Sequence, residues 1–107
     1  MDPKRQLKIK TGVLKRSSKE KVMYEKEVVD QTAKVEKMKE EKKDEHDIKK
    51  QIEVLEESKV MIPDCKRRIK TAYSDLQELV TKTENDLGDT EEYKAAKQLL
   101  EETKLED

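Results

Sequence analysis

Tryptophan and phenylalanine are absent from this 107-residue chain, and tyrosine occurs only three times. A compact globule of that length fills its centre with aromatic and branched aliphatic side chains, so a single thick core is excluded. Glycine and proline are equally scarce, with Gly12, Gly88, Pro3 and Pro63 the only examples. Strands joined by tight turns need many more such breaks, which excludes a β-rich architecture. Cys65 is the only cysteine, so there is no internal disulfide and a reducing compartment is expected. No run approaches the ~18 apolar residues of a membrane span, and Met1–Lys10 has no apolar stretch of the signal-peptide kind. A cytoplasmic location is expected.

The chain also lacks a dominant sign of charge. Its 25 Lys and Arg against 26 Asp and Glu leave a net charge of −1, so no overall field draws it to nucleic acid or membrane. The distribution is uneven, however. Residues 1–23 carry eight basic groups against Asp2 and Glu20, and residues 84–107 carry nine acidic groups against Lys94, Lys97 and Lys104. The basic end can attract an acidic partner, or the acidic stretch Glu84–Glu92 can neutralise it internally. No aromatic is interleaved with the basic residues to stack on bases.

Chemistry-bearing groups are equally sparse. His46 stands alone in a charged stretch, without a His or Cys at metal-ligand spacing. Cys65 has no local Cys or second His to act with it, which makes it a small packing residue. There is no glycine-rich phosphate loop and no nucleophile elbow. The carboxylates alternate with lysines at helical spacing, as in Asp30–Lys34, Glu45–Lys49, Asp64–Arg68 and Glu78–Lys82. Such pairs mark solvated helix faces. The chain is therefore not expected to be an enzyme or to hold a cofactor or metal.

What is there is helix. Charged residues make up 48% and hydrophobic ones 32%, a balance that fits either disorder or long helices meeting along narrow seams. Periodicity decides for helices. Ile48, Leu55, Ile62, Ile69 and Leu76 recur every seven residues, and Ile52, Lys59, Lys66, Tyr73, Val80 and Leu87 follow four residues behind. Sustained heptads of this kind make a long helix with a coiled-coil seam. Pro63 falls inside it and predicts a kink. An earlier helix opens at Asp2-Pro3, a cap followed by proline in the first helical position. Its apolar stripe, Leu7, Leu14, Tyr24, Val28, Val35 and Met38, is looser.

Glu41–Asp47 has no apolar residue and predicts a turn, with Asp44 or Asp47 capping the second helix. Gly88-Asp89 predicts another, with Gly88 in a left-handed cap and Asp89 starting a short third helix with Tyr93, Ala96, Leu99, Leu100 and Thr103 inward. Helices over about 3–42, 47–83 and 89–104 follow, in one domain covering 1–107. Short connections make neighbours antiparallel. The expected fold is all-α: an elongated antiparallel three-helix bundle of two long helices and one shorter.

Five apolar residues fall off these seams: Val22, Met23, Val29, Val60 and Met61. Either the third helix covers them or they form an exposed patch for a partner, rimmed by Glu25, Lys26, Lys59 and Arg67. With the hairpin turning near residue 44, Val29 is expected opposite residue 59, which would gather the five into one mid-bundle patch.

Several strings resemble the tubulin-folding cofactor A family. They are Lys8-Ile9-Lys10-Thr11-Gly12-Val13-Leu14-Lys15-Arg16, Lys19–Glu27, Met61-Ile62-Pro63-Asp64-Cys65 and Glu92-Tyr93-Lys94-Ala95-Ala96. In order and spacing they span nearly the whole chain. Ser17-Ser18 departs from the pattern, standing where the family more often has apolar residues. The resemblance implies a three-helix bundle and a cytoskeleton-associated chaperone role. It implies capture of quasi-native β-tubulin after chaperonin release and its transfer towards other tubulin-folding cofactors for heterodimer assembly. A monomer or weak dimer is expected. Composition and heptads alone also fit a generic coiled-coil scaffold module with an unrelated protein partner.

Overall fold

The computed structural model describes residues 2–105. Three helices account for nearly all of them: α1 over Pro3–Glu40, α2 over Glu45–Leu87 and α3 over Glu91–Glu102. No strand occurs among the described residues, so the fold is the all-α, three-helix one expected.

The helix ends explain where the boundaries fall. Asp2 opens α1: its carboxylate accepts from the Lys4 N–H at 3.1 Å and its carbonyl from the Gln6 N–H at 3.0 Å. Pro3 sits where a missing N–H costs nothing. At the other end Lys42 takes φ 55°, the left-handed region. The Lys43 N–H then reaches the Met38 carbonyl at 3.0 Å and the Lys42 N–H the Lys39 carbonyl at 3.1 Å. This is a Schellman closure, and it stops α1 two residues before the expected end.

Asp44, not Asp47, caps α2. Its carboxylate accepts from the His46 N–H at 2.8 Å and its carbonyl from Ile48 at 3.0 Å, while Asp47 lies within the first turn. Helix α2 runs through Pro63 to Leu87. Pro63 is exposed, so the Lys59 carbonyl that loses its usual donor lies where water can reach it.

The second turn departs from expectation twice. Gly88 is not in the left-handed region; no glycine here has positive φ. Its small size matters for another reason. Its N–H donates to the Glu84 carbonyl at 3.0 Å, and a Cβ would stand 2.5 Å from that same oxygen. Nor does Asp89 cap α3. Thr90 does, with φ −79° and ψ 153°, its hydroxyl oxygen accepting from the Tyr93 N–H at 3.2 Å. The same hydroxyl donates to the Leu87 carbonyl at 2.7 Å. One oxygen thus closes α2 and opens α3.

The chain divides into two compact units. One comprises residues up to Lys19 together with those from Lys66 onward. Leu7 and Leu14 of α1, Ile69, Ala72, Leu76 and Val80 of α2, and Tyr93, Ala96 and Leu100 of α3 form its continuous core. Each Leu, Ile or Val side chain buried there contributes about 1.5–3 kcal/mol. Lys4 reaches Glu92 at 3.7 Å, and Lys8 lines a groove with Glu91 and Glu92. The basic start of α1 thus meets the acidic start of α3.

The other unit, Glu20–Cys65, is a hairpin of α1 and α2 alone. Val35, Leu55 and Cys65 are buried in it, together with two polar residues, Lys21 and Ser58. Side-chain bridges that cross the hairpin include Gln31 to Gln51, and the Ser58 hydroxyl to the Glu27 carboxylate at 3.4 Å. The companion line expected on α2 is met in part: Val80 is buried and Ile52, Lys66, Tyr73 and Leu87 are half-buried. Lys59 is exposed, and Ser58, Cys65 and Ala72 take the buried positions three residues behind Leu55, Ile62 and Ile69.

Candidate partner-binding surface

Seven-residue spacing on α1 accounts for what remains outside. Lys21, Val28 and Val35 alternate with Tyr24, Gln31 and Met38, all buried or half-buried. On a helix of 3.6 residues per turn that seam leaves Val22 and Val29, themselves seven apart, turned away from α2. They are 64% and 68% exposed, and no helix covers them. Met23 lies about 100° round from Val22 and is also exposed. On α2, Val60 is 69% exposed and Met61 half-buried.

The five residues therefore remain uncovered to different degrees but do not gather as expected. The bridges Gln31–Gln51 and Glu27–Ser58 set the hairpin register. They place Val29 level with a residue near 54, not with residue 59. The turn is tighter than the sequence implied, because the Lys42 closure ends α1 early. Val22 and Val29 make one stripe; Val60 and Met61 belong to another surface.

That second surface is a groove along α1 and α2, lined by Tyr24, Glu27, Val54, Glu56, Glu57, Ser58, Val60 and Met61. Val54 and Met61 are seven residues apart on one flank of α2, about 10 Å along its axis. Val54 is 46% exposed, an apolar residue the sequence reading passed over. The charged residues lining the groove are all acidic. Glu56 is engaged by Lys59 at 3.6 Å, and Glu27 holds Ser58.

Among the described residues no group of three His, Cys, Asp or Glu side chains is placed to hold a metal ion. No helix is long and apolar enough to cross a membrane. Cys65 is buried, 1% exposed, and His46 lies exposed at the start of α2.

Comparison with known proteins decides the family. The model of the family described as Tubulin binding cofactor A matches residues 2–100. The chain belongs to the tubulin binding cofactor A family. It is 57% identical over 106 residues to a Gallus gallus protein named Tubulin-specific chaperone A, covering 98% of this chain and 97% of that one. Two solved cofactor A structures share the fold. The human tubulin chaperone cofactor A superposes with a TM-score of 0.77 at 52% identity, covering 94% of this chain and 97% of that one. The tubulin folding cofactor A from Arabidopsis thaliana gives 0.81 at 40% identity, covering 94% of each chain. The sequence strings that resembled this family thus identified it correctly.

Proposed function

We propose that this cofactor A chain captures quasi-native β-tubulin after its release from the chaperonin, holds it reversibly, and passes it on for assembly with α-tubulin. The carrying observation is the family match along residues 2–100. Uncovered apolar residues on the hairpin unit support the same reading. Val22, Met23, Val29, Val60 and Met61 are the proposed contacts, on two surfaces suited to a client that reaches around the hairpin. Binding alone performs the task. A protein that favours one state of its client shifts that client's population by mass action, with no catalysis and no cofactor. Other tubulin-folding cofactors act indirectly, by taking over the client, and the site of action is the cytoplasm and its cytoskeleton.

Equilibrium binding of purified β-tubulin tests this. Capture is expected without nucleotide, in the presence of a chelator, and by Cys65→Ser. The double substitution Val29→Ser with Met61→Ser is expected to weaken capture while leaving the melting temperature unchanged. No enrichment of β-tubulin on the wild-type chain would favour a scaffold with another partner.

A further inference from the structure

The hairpin unit has two helices where the other unit has three. In the latter, α3 lays Tyr93, Ala96 and Leu100 against α1 and α2 and buries them. In Glu20–Cys65 the same two helices present a groove and no third helix fills it.

Its chemistry is specific. Tyr24, Val54 and Met61 supply the apolar surface. Between Val54 and Met61 on the same flank stands Glu57, with Glu27 across the groove on α1. No lysine or arginine is among the lining residues, although the chain as a whole carries nearly equal numbers of both signs. An occupant needs apolar side chains at helical spacing to meet Val54 and Met61, and cations beside them to meet Glu27 and Glu57.

We propose that this groove receives a basic amphipathic helix of the client tubulin. The inference rests on the tubulin-capture reading and narrows it to one surface and one kind of element. Apolar residues at i, i+3 or i+4, and i+7 form the inserted stripe, as in other helix-in-groove complexes. Lysines or arginines on its flanks pair with the carboxylates, fixing orientation and speeding encounter.

The test is the affinity of the full-length chain for β-tubulin at low and at moderate salt. Glu57→Lys reverses an exposed charge and is expected to weaken capture about tenfold at low salt, less once salt screens the pair. Val54→Ser is expected to weaken it at both salt levels. Glu78→Lys, a reversal in the other unit on the exposed face of α2, serves as the control and is expected to leave affinity unchanged. Circular dichroism confirms that each variant stays helical. Wild-type affinity in both groove variants overturns the inference while leaving tubulin capture standing. An equal loss in Glu78→Lys overturns it too, because net charge alone would then explain the effect. If sedimentation shows that the groove variants lose self-association instead, the occupant is a second copy of this chain and the tubulin helix is excluded. No capture by the wild-type chain would sink the functional reading itself.

Discussion

The Gln31 side-chain amide donates to the Gln51 side-chain carbonyl at 2.6 Å and to the Gln51 main-chain carbonyl at 3.1 Å. Both residues are half-buried, so neither amide is fully compensated by water when its partner is removed. A double-mutant cycle with Gln31→Ala and Gln51→Ala should therefore return a coupling of about 0.5–1.5 kcal/mol, read from urea unfolding. Additive effects would show that the bridge contributes nothing.

Glycine should act in opposite directions at two positions. At residue 42 the backbone is left-handed, which penalises any side chain with a Cβ. Lys42→Gly should stabilise the hairpin by up to about 1 kcal/mol. Gly12 stands within α1, and an added Cβ there meets nothing within 4 Å. Gly12→Ala should stabilise by about 1 kcal/mol through helix propensity alone. The melting temperature measures both; a fall in either variant contradicts the corresponding backbone argument.

Leu76 is fully buried at the centre of the three-helix core. Leu76→Ala should cost about 2–5 kcal/mol through lost transfer energy and a residual cavity. Small domains have only about 5 kcal/mol to lose at the lower end of the usual range, so unfolding at body temperature is expected. A melting temperature within a few degrees of wild type would mean that the core relaxes around the gap.

The heptads of α2 were legible because large aliphatic residues mark them. Leu55, Ile69 and Leu76 are buried as their spacing requires, and Ile48 and Ile62 half-buried. The companion line was legible only in part: Val80, Tyr73 and Leu87 pack inward as their spacing requires, but Ser58, Cys65 and Ala72 are small or polar and carry little hydropathy signal. On α1 the same cause hid Ser17, Lys21 and Gln31. A strict count in sevens from Leu7 through Leu14 to Val28 and Val35 lands on Lys21 and would have found it. The candidate surface was half legible. Excess apolar residues could be named from the sequence, but their grouping depended on hairpin register. Cross-hairpin bridges such as Gln31–Gln51 and one left-handed lysine set that register, and neither leaves a mark in composition. The groove residue Val54 could have been found from its seven-residue spacing to Met61.

The division of the chain into two units also sets an order of assembly. The Glu20–Cys65 hairpin lies within one continuous stretch, and its Gln31–Gln51 and Glu27–Ser58 bridges join residues 20 and 31 apart. The core around Leu7 and Leu14 must instead wait for Tyr93 to Leu100, which follow the whole hairpin along the chain. Short loops close at lower entropic cost than long ones. The hairpin can therefore take shape while Leu7 and Leu14 still lack a partner, so residues that precede it in the chain are buried after it.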